Sequence, residues 1–113
     1  MWEVIFYEDE NNKPVEDFLD SLNTKMKAKA LWEIVLLKNL GNKIREPYSK
    51  HIEDGIFELR IKVSSDIARV FYFFFDHEKI ILTNGFIKKS NKIPKKEIEK
   101  ARKYKIAYER SKK

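Results

Sequence analysis

The sequence has 113 residues and contains no cysteine and only three glycines. Without cysteine, the chain has no disulfide, no thiol nucleophile and no zinc–thiolate centre, and a reducing cytoplasm is the natural setting. Neither a glycine-rich phosphate loop nor a glycine/serine linker is present. The two histidines, His51 and His77, do not have metal-ligand spacing, so we expect neither a metal nor a cofactor.

Long apolar runs are missing as well. No segment approaches the ~20 apolar residues of a membrane span. The N-terminal string "MWEVIFYEDE" carries acidic residues where a signal peptide needs a basic region. We therefore expect a soluble, untargeted protein with no membrane association. No internal repeat or linker divides the chain, which predicts a single domain over residues 1–113.

The charge balance is strongly basic. Lysine and arginine number 24 against 18 acidic residues, for a formal net charge of +6. Between Lys88 and Lys105 the imbalance is sharper, with nine basic residues and two acidic ones. A basic surface of this kind indicates a polyanionic partner such as nucleic acid. The alternatives are that the charge serves solubility alone, or that this segment is a solvated helix face.

The pattern of apolar residues predicts the element order β-α-α-β-β-β-α. Pro14 suits the first turn of a short helix, and Asn23 or Thr24 suits the N-cap of a longer one from about Lys25 to Leu40. Links as short as "SSD" and "DHE" require antiparallel hairpins. We expect an α+β sandwich, with an N-terminal αα-hairpin and a C-terminal helix packed on one mostly antiparallel sheet. The predicted strands are "WEVIFY", "IFELRIKV", "IARVFYFFF" and "KIILTNGFI", and the last helix follows Pro94.

Two further expectations concern the segments between these strands. In the long helix, Met26, Ala30, Ile34 and Leu37 recur at helical spacing, and Leu31 and Val35 are expected to widen the buried stripe. The string "NKIREPYSKHIEDG" is predicted to be a polar loop.

Two arginines stand in the predicted hairpin "LRIKVSSDIARVFYFFF". If the turn is Ser64-Ser65 alone, Arg60 lies opposite Arg69 on one face, a pair suited to binding phosphate. If the turn is "SSD", Arg69 points to the core side and pairs with a carboxylate such as Glu33 or Asp17. The residues leave this register open. On either register Glu58, Arg60 and Lys62 share one face of their strand.

A family resemblance rests on four motifs in order: "ELR", "ARVFY", "GFIKKS" and a proline-opened basic helix. Together they resemble the RelE/HigB superfamily of bacterial toxins, in particular its phage Gp49-like HigB branch. The resemblance implies a type II toxin–antitoxin toxin that cleaves mRNA in the A site of the 70S ribosome. It also implies neutralisation by a HigA-like helix-turn-helix antitoxin.

The resemblance also implies roles for individual residues. Arg60 matches the active-site arginine, and Arg69 matches a strand position where a structural role is also known. Some relatives place a catalytic tyrosine or histidine near the C-terminus. Here only Tyr108 is available and the helix stripe is expected to bury it, so the general acid or base is left open. The expected catalytic set is Arg60, Arg69, Lys88, Lys89, Lys50 and His51, and the expected RNA-binding set is Tyr48, Lys62, Ser90, Lys92, Lys95 and Lys96.

Other functions remain compatible with the same residues. A non-catalytic RNA- or DNA-binding module would use the same basic surface, and a structural phage protein would show no toxicity. The two histidines lack metal-ligand spacing and no motif resembles a nucleophile elbow, which argues against metal-dependent and serine hydrolase chemistry.

Overall fold

The computed structural model describes residues 2–88 and 92–112. They form one five-stranded sheet, ordered β1-β5-β4-β3-β2, with three α-helices packed on it. No helix within these residues has the length and apolar character to cross a membrane. The elements are β1 (Glu3–Phe6), α1 (Pro14–Ser21), α2 (Thr24–Leu40), β2 (Ser49–Glu53), β3 (Ile56–Val63), β4 (Asp66–Phe75), β5 (Lys79–Lys88) and α3 (Lys95–Ser111).

The sheet is mostly antiparallel. Strands β2, β3, β4 and β5 pair antiparallel with their neighbours, and β1 joins β5 in parallel. This confirms the predicted α+β fold. The prediction that "NKIREPYSKHIEDG" is all loop was wrong, because Ser49–Glu53 within it forms β2. Polar residues are frequent on such short edge strands, which expose one side to water, so composition alone did not reveal it.

Two helix layers enclose the sheet. On one face α1 and α2 bury Val15, Leu19, Ala30 and Leu37, among others, against Leu59 and its neighbours. On the other face α3 packs on the end of the sheet that carries Phe71, Phe73 and Phe86. The strand β4 is central and apolar on both faces, as its sequence predicts. The face under α3 is therefore covered at one end and open at the other.

The buried stripe of α2 is narrower than the sequence predicts. Met26, Ala30, Ile34 and Leu37 are buried, as expected. Leu31 and Val35 were expected to join them but are 46% and 56% exposed. Only one side of α2 meets the sheet, so an apolar residue on its opposite side has nothing to pack against.

Local signals fix the ends of α2. The side chain of Asn23 accepts a hydrogen bond from the backbone N–H of Met26 at 2.9 Å, which caps the N-terminus. Gly41 ends the helix with φ of +54°. A methyl group at Gly41 would overlap the indole ring of Trp2. Glycine is therefore required there both by the backbone angle and by the space available.

The substitution Gly41→Ala should destabilise the fold more than Gly55→Ala does. Both glycines have positive φ, so each substitution costs at least about 1 kcal/mol in backbone strain. Only at Gly41 does the added carbon meet a ring, since the nearest atom to a Cβ at Gly55 is Lys105 Cε at 3.8 Å. Urea unfolding of the two variants measures the difference. Equal losses of unfolding free energy would contradict the proposed clash.

Candidate active site

The turn between β3 and β4 contains two residues. Val63 pairs with Asp66, which leaves Ser64-Ser65 as the loop, and Arg60 pairs with Arg69. Ser64 has φ of +55°, typical of the primed turns that join strands through two residues. Both arginine side chains therefore lie on the same face of the sheet, the face that α3 partly covers. The three-residue alternative, which paired Arg69 with Glu33 or Asp17, was wrong.

A carboxylate that sequence reasoning did not single out holds this pair. Glu58 is 1% exposed, and its Oε1 accepts a hydrogen bond from Arg69 Nη1. The same oxygen lies 3.5 Å from Arg60 Nε. Two residues apart on a strand, Glu58 and Arg60 share a face, so the "ELR" motif already contained this signal. Without Glu58, two adjacent guanidinium groups would repel each other in a poorly hydrated site.

The arginines retain unused hydrogen-bonding capacity. Arg69 is buried, whereas the Arg60 side chain is 28% exposed. The Nε atoms of both are buried and have no hydrogen-bond partner among the described residues. A single carboxylate cannot saturate two guanidinium groups, each of which has five N–H donors. The pair is therefore able to accept an additional anion, and a phosphate matches the forked geometry.

Lysines extend the positive charge around the arginine pair. Lys50 pairs with Glu58 across β2 and β3, and Lys88 pairs with Ile67 across β4 and β5, so both lie on the arginine face. Burial lowers the pKa of Lys88, and the charges of Arg69, Arg60 and Lys50 lower it further. A lysine with a lowered pKa has a larger neutral fraction near pH 7, which proton transfer requires.

The arginine pair opens into a cleft of about 760 Å³. It lies just before the start of β2, where the edge of β3 is open, between the sheet and the side of α2. A backbone hydrogen bond links two of its lining residues: the N–H of Arg60 donates to the carbonyl oxygen of Tyr48 at 2.8 Å. The lining residues are Lys29, Glu33, Pro47, Tyr48, Arg60, Lys62, Ser64, Ile67, Arg69 and Lys88.

The cleft lining includes a carboxyl, that of Glu33, which sequence reasoning did not place there. It belongs to α2, is 1% exposed, and its Oε1 has no hydrogen-bond partner among the described residues. Its other oxygen lies 3.9 Å from Lys29 Nζ. Burial raises the pKa of Glu33 to about 7, against the smaller opposing effect of Lys29. Glu33 therefore carries only part of a negative charge at neutral pH, which leaves the cleft strongly positive.

The structure brings half of the twelve expected site residues together. Arg60, Arg69, Lys88, Tyr48 and Lys62 line one cleft, and Lys50 lies on the same face beside it.

The remaining predicted residues lie elsewhere. His51 follows Lys50 in β2, so its side chain points to the opposite face, where its ring lies 5.0 Å from that of Phe57. Lys92, Lys95 and Lys96 are exposed between β5 and the first turn of α3, outside the cleft lining. Tyr108, on the inner side of α3, is buried, as expected. Lys89 and Ser90 lie outside the described residues.

Comparison with models of protein families shows which family the chain belongs to. The family described as "Phage derived protein Gp49-like (DUF891)" matches residues 17–105, which include α2, the arginine hairpin and most of α3. The chain belongs to the Gp49-like family. This is a RelE/HigB-like toxin family, so the resemblance drawn from the four motifs is confirmed at that level. A search of curated proteins found no match.

Removal of the carboxylate between the arginines should destabilise the Gp49-like fold. We expect Glu58→Gln to lower the free energy of unfolding by about 3–5 kcal/mol, since it leaves buried positive charge without its partner. The matched control is Glu53→Gln, which affects an exposed ion pair with Arg102 and should cost less than about 1 kcal/mol. Chemical denaturation measures both. Losses of similar size would show that Glu58 does not hold the arginines.

Glu33 should make stability fall as pH rises. Burial raises the pKa of its carboxyl to about 7 in the folded state, whereas in the unfolded chain the carboxyl has its ordinary pKa of about 4.5. Ionisation therefore favours unfolding between these pH values, by up to about 3 kcal/mol. Glu33→Gln removes this effect, so its stability relative to the wild type should be greater at pH 8 than at pH 5. Denaturation at both pH values tests this, with the exposed Glu16→Gln as control. A constant difference between wild type and Glu33→Gln would contradict it.

Proposed function

We propose that the protein is the toxin of a type II toxin–antitoxin system and acts in the cytoplasm as a ribosome-dependent mRNA endoribonuclease. A cognate helix-turn-helix antitoxin of the HigA type would neutralise it, and the substrate would be mRNA in the A site of the 70S ribosome. The observation that supports this most directly is the pair of arginines in an open cationic cleft, joined by one carboxylate that leaves N–H donors unused. Membership of a toxin family supports the same conclusion.

The reaction proposed is attack of a ribose 2′-oxygen on the adjacent phosphorus. The bond from phosphorus to the 5′-oxygen breaks, and the products are a cyclic phosphate and a 5′-hydroxyl. Neither a metal nor a water nucleophile is required. The site must hold the phosphate in line, stabilise the negative charge that grows on its oxygens, and move one proton from the nucleophile and one to the leaving group.

Arg60 is the proposed electrostatic catalyst. It is the more exposed of the two arginines and lines the cleft, so a phosphate there can accept hydrogen bonds from its N–H groups. Arg69 is more deeply buried and hydrogen-bonded to Glu58, which suits it to orient Arg60 and strengthen the local field. The two arginines thus have different proposed roles: Arg60 contacts the phosphate, and Arg69 orients Arg60.

Lys88 is the proposed group for proton transfer. It lines the same cleft, and both burial and the neighbouring cations lower its pKa. Tyr48 and Lys62, at the cleft wall, are proposed to contact the flanking nucleotides. Lys50, Lys92, Lys95 and Lys96 would add phosphate contacts outside the cleft, in keeping with the salt-dependent binding of basic surfaces to RNA. His51 and Lys89 stay predictions from the resemblance.

Arg60→Ala should lower the rate of mRNA cleavage at least about 100-fold, because it removes the main donor to the developing charge. The measurement is product formation from a defined mRNA in a translating ribosome reaction, with growth inhibition on expression as a second readout. Lys13→Ala is the matched control, since it removes the same charge from an exposed position at the start of α1. It should cleave like the wild type.

Two results would contradict the proposal. Undiminished cleavage by Arg60→Ala would remove Arg60 from the mechanism. RNA binding by the wild type without any cleavage, with or without ribosomes, would favour a non-catalytic RNA-binding module instead. Circular dichroism of Arg60→Ala checks that the variant is folded, so that lost activity is not lost structure.

A further inference from the structure

The outer side of α2 presents an apolar stripe to solvent. Leu31, Trp32 and Val35 are 46%, 51% and 56% exposed, and Ala28 is also exposed. Their spacing of three, four and seven residues places them along one side of the helix. Four neighbouring apolar residues on one helix side are more than isolated surface residues, and such patches mark interaction surfaces.

Lysines border this stripe on both sides. At 100° per residue, Lys25 and Lys29 lie along one border, and Lys27 and Lys38 lie along the other. The only acidic residue of α2 is Glu33, which is buried on the inner side. Lys27 Nζ already lies 3.0 Å from Asp20 Oδ1 of α1, so Lys25, Lys29 and Lys38 carry most of the positive charge at the edges of the strip. Charge complementarity therefore favours a partner with acidic edges.

We infer that this surface of α2 is the docking site for an acidic amphipathic helix of a partner protein. Such a helix would lay its apolar side on Ala28, Leu31, Trp32 and Val35 and direct acidic side chains to the bordering lysines. Resting on the proposed function, the partner that carries this helix is the neutralising antitoxin. The 17 residues of α2 provide a surface about 25 Å long, enough for four to five turns of a partner helix.

Two other occupants fit the surface less well. A second copy of the chain would bring its own lysine borders against these lysines, which repel. RNA would use the positive charge, but aliphatic side chains such as Leu31 and Val35 offer no stacking surface to bases. The one aromatic member, Trp32, already has Lys29 Nζ over its ring at 4.8 Å.

The docking surface is continuous with the cleft. The ring of Trp32 lies 6.1 Å from that of Tyr48, and Tyr48 lines the cleft. Lys29 and Glu33, on the same helix, also line it. A partner helix on the stripe therefore lies beside the cleft entrance, where it can limit the access of RNA to the arginines.

Binding of designed peptides to the full chain tests the inference. The probe is a fluorescent amphipathic helical peptide with leucines at spacings of three and four bordered by glutamates, and its control has lysines in place of the glutamates. We expect the glutamate peptide to bind at least about tenfold more tightly than the lysine peptide. The double variant Leu31→Ser with Val35→Ser should reduce that affinity at least about tenfold. Ile106→Ser, which changes an exposed apolar residue of α3, should not.

Several outcomes would overturn the inference. They are equal binding of both peptides, an unchanged affinity in the double variant, and an equal loss in Ile106→Ser. If the double variant loses affinity for a single-stranded RNA oligonucleotide but not for the peptide, the stripe is an RNA surface. If size-exclusion chromatography shows a wild-type dimer that the double variant lacks, the stripe binds a second copy.

Failure of the docking site and failure of the proposed function give different results. The Arg60→Ala variant should bind the glutamate peptide as the wild type does, because Arg60 is not part of the stripe. A wild type that cleaves no RNA but binds the glutamate peptide selectively would refute only the proposed nuclease. Circular dichroism of the double variant excludes misfolding as the cause of lost binding.

Discussion

The carboxylate of Glu58 is the constraint on which the site depends. It is buried between two guanidinium groups that the hairpin register forces into neighbouring positions. One negative charge stabilises both arginines without neutralising them, so the pair stays cationic overall. A second carboxylate at this place would cancel the positive charge on which the proposed binding of phosphate depends. Without any carboxylate, Arg69 would be buried without a partner. The balance of charges therefore defines both stability and chemistry here.

The face of the sheet that α3 partly covers has two parts, one packed against the helix and one lining the cleft. Towards one end Phe71, Phe73 and Phe86 are covered by α3, and towards the other Arg60 and Arg69 line a cleft. Strand β4 carries the packed Phe71 and Phe73 as well as Arg69, at alternate positions on the same face. The rigid core therefore extends directly into the site. Groups that must be held in place for catalysis are better positioned by strands than by loops.

The sequence predicted the layers of the fold well and the details of the site only in part. Alternation along β3 correctly placed Arg60 and Lys62 on one face, because side chains in a strand have a period of two. The register to Arg69 was left open, since "SSD" contains no glycine or asparagine to mark the residue with positive φ. That angle falls on Ser64, and only the three-dimensional structure shows it.

The incorrect or missing predictions for residues of α2 also have physical causes. Glu33 was not placed in the cleft because helical periodicity says which side of α2 is buried, but not what lies against it. Leu31 and Val35 were assigned to the core because an apolar residue gives the same signal whether it meets its own protein or another. Helical periodicity therefore shows which side of a helix is apolar, but it does not show what that side contacts.

The short length of β2 has a consequence for association between chains. β2 pairs with β3 only as far as Leu59, and beyond Arg60 the described strands leave the outer edge of β3 open. An open strand edge is a template for another strand, and self-association along it leads to aggregation. Here the edge carries Lys62 and lies in a cationic cleft, so a second copy of the chain meets repulsion before its backbone can pair. The charge arranged for an anion thus also protects the edge strand.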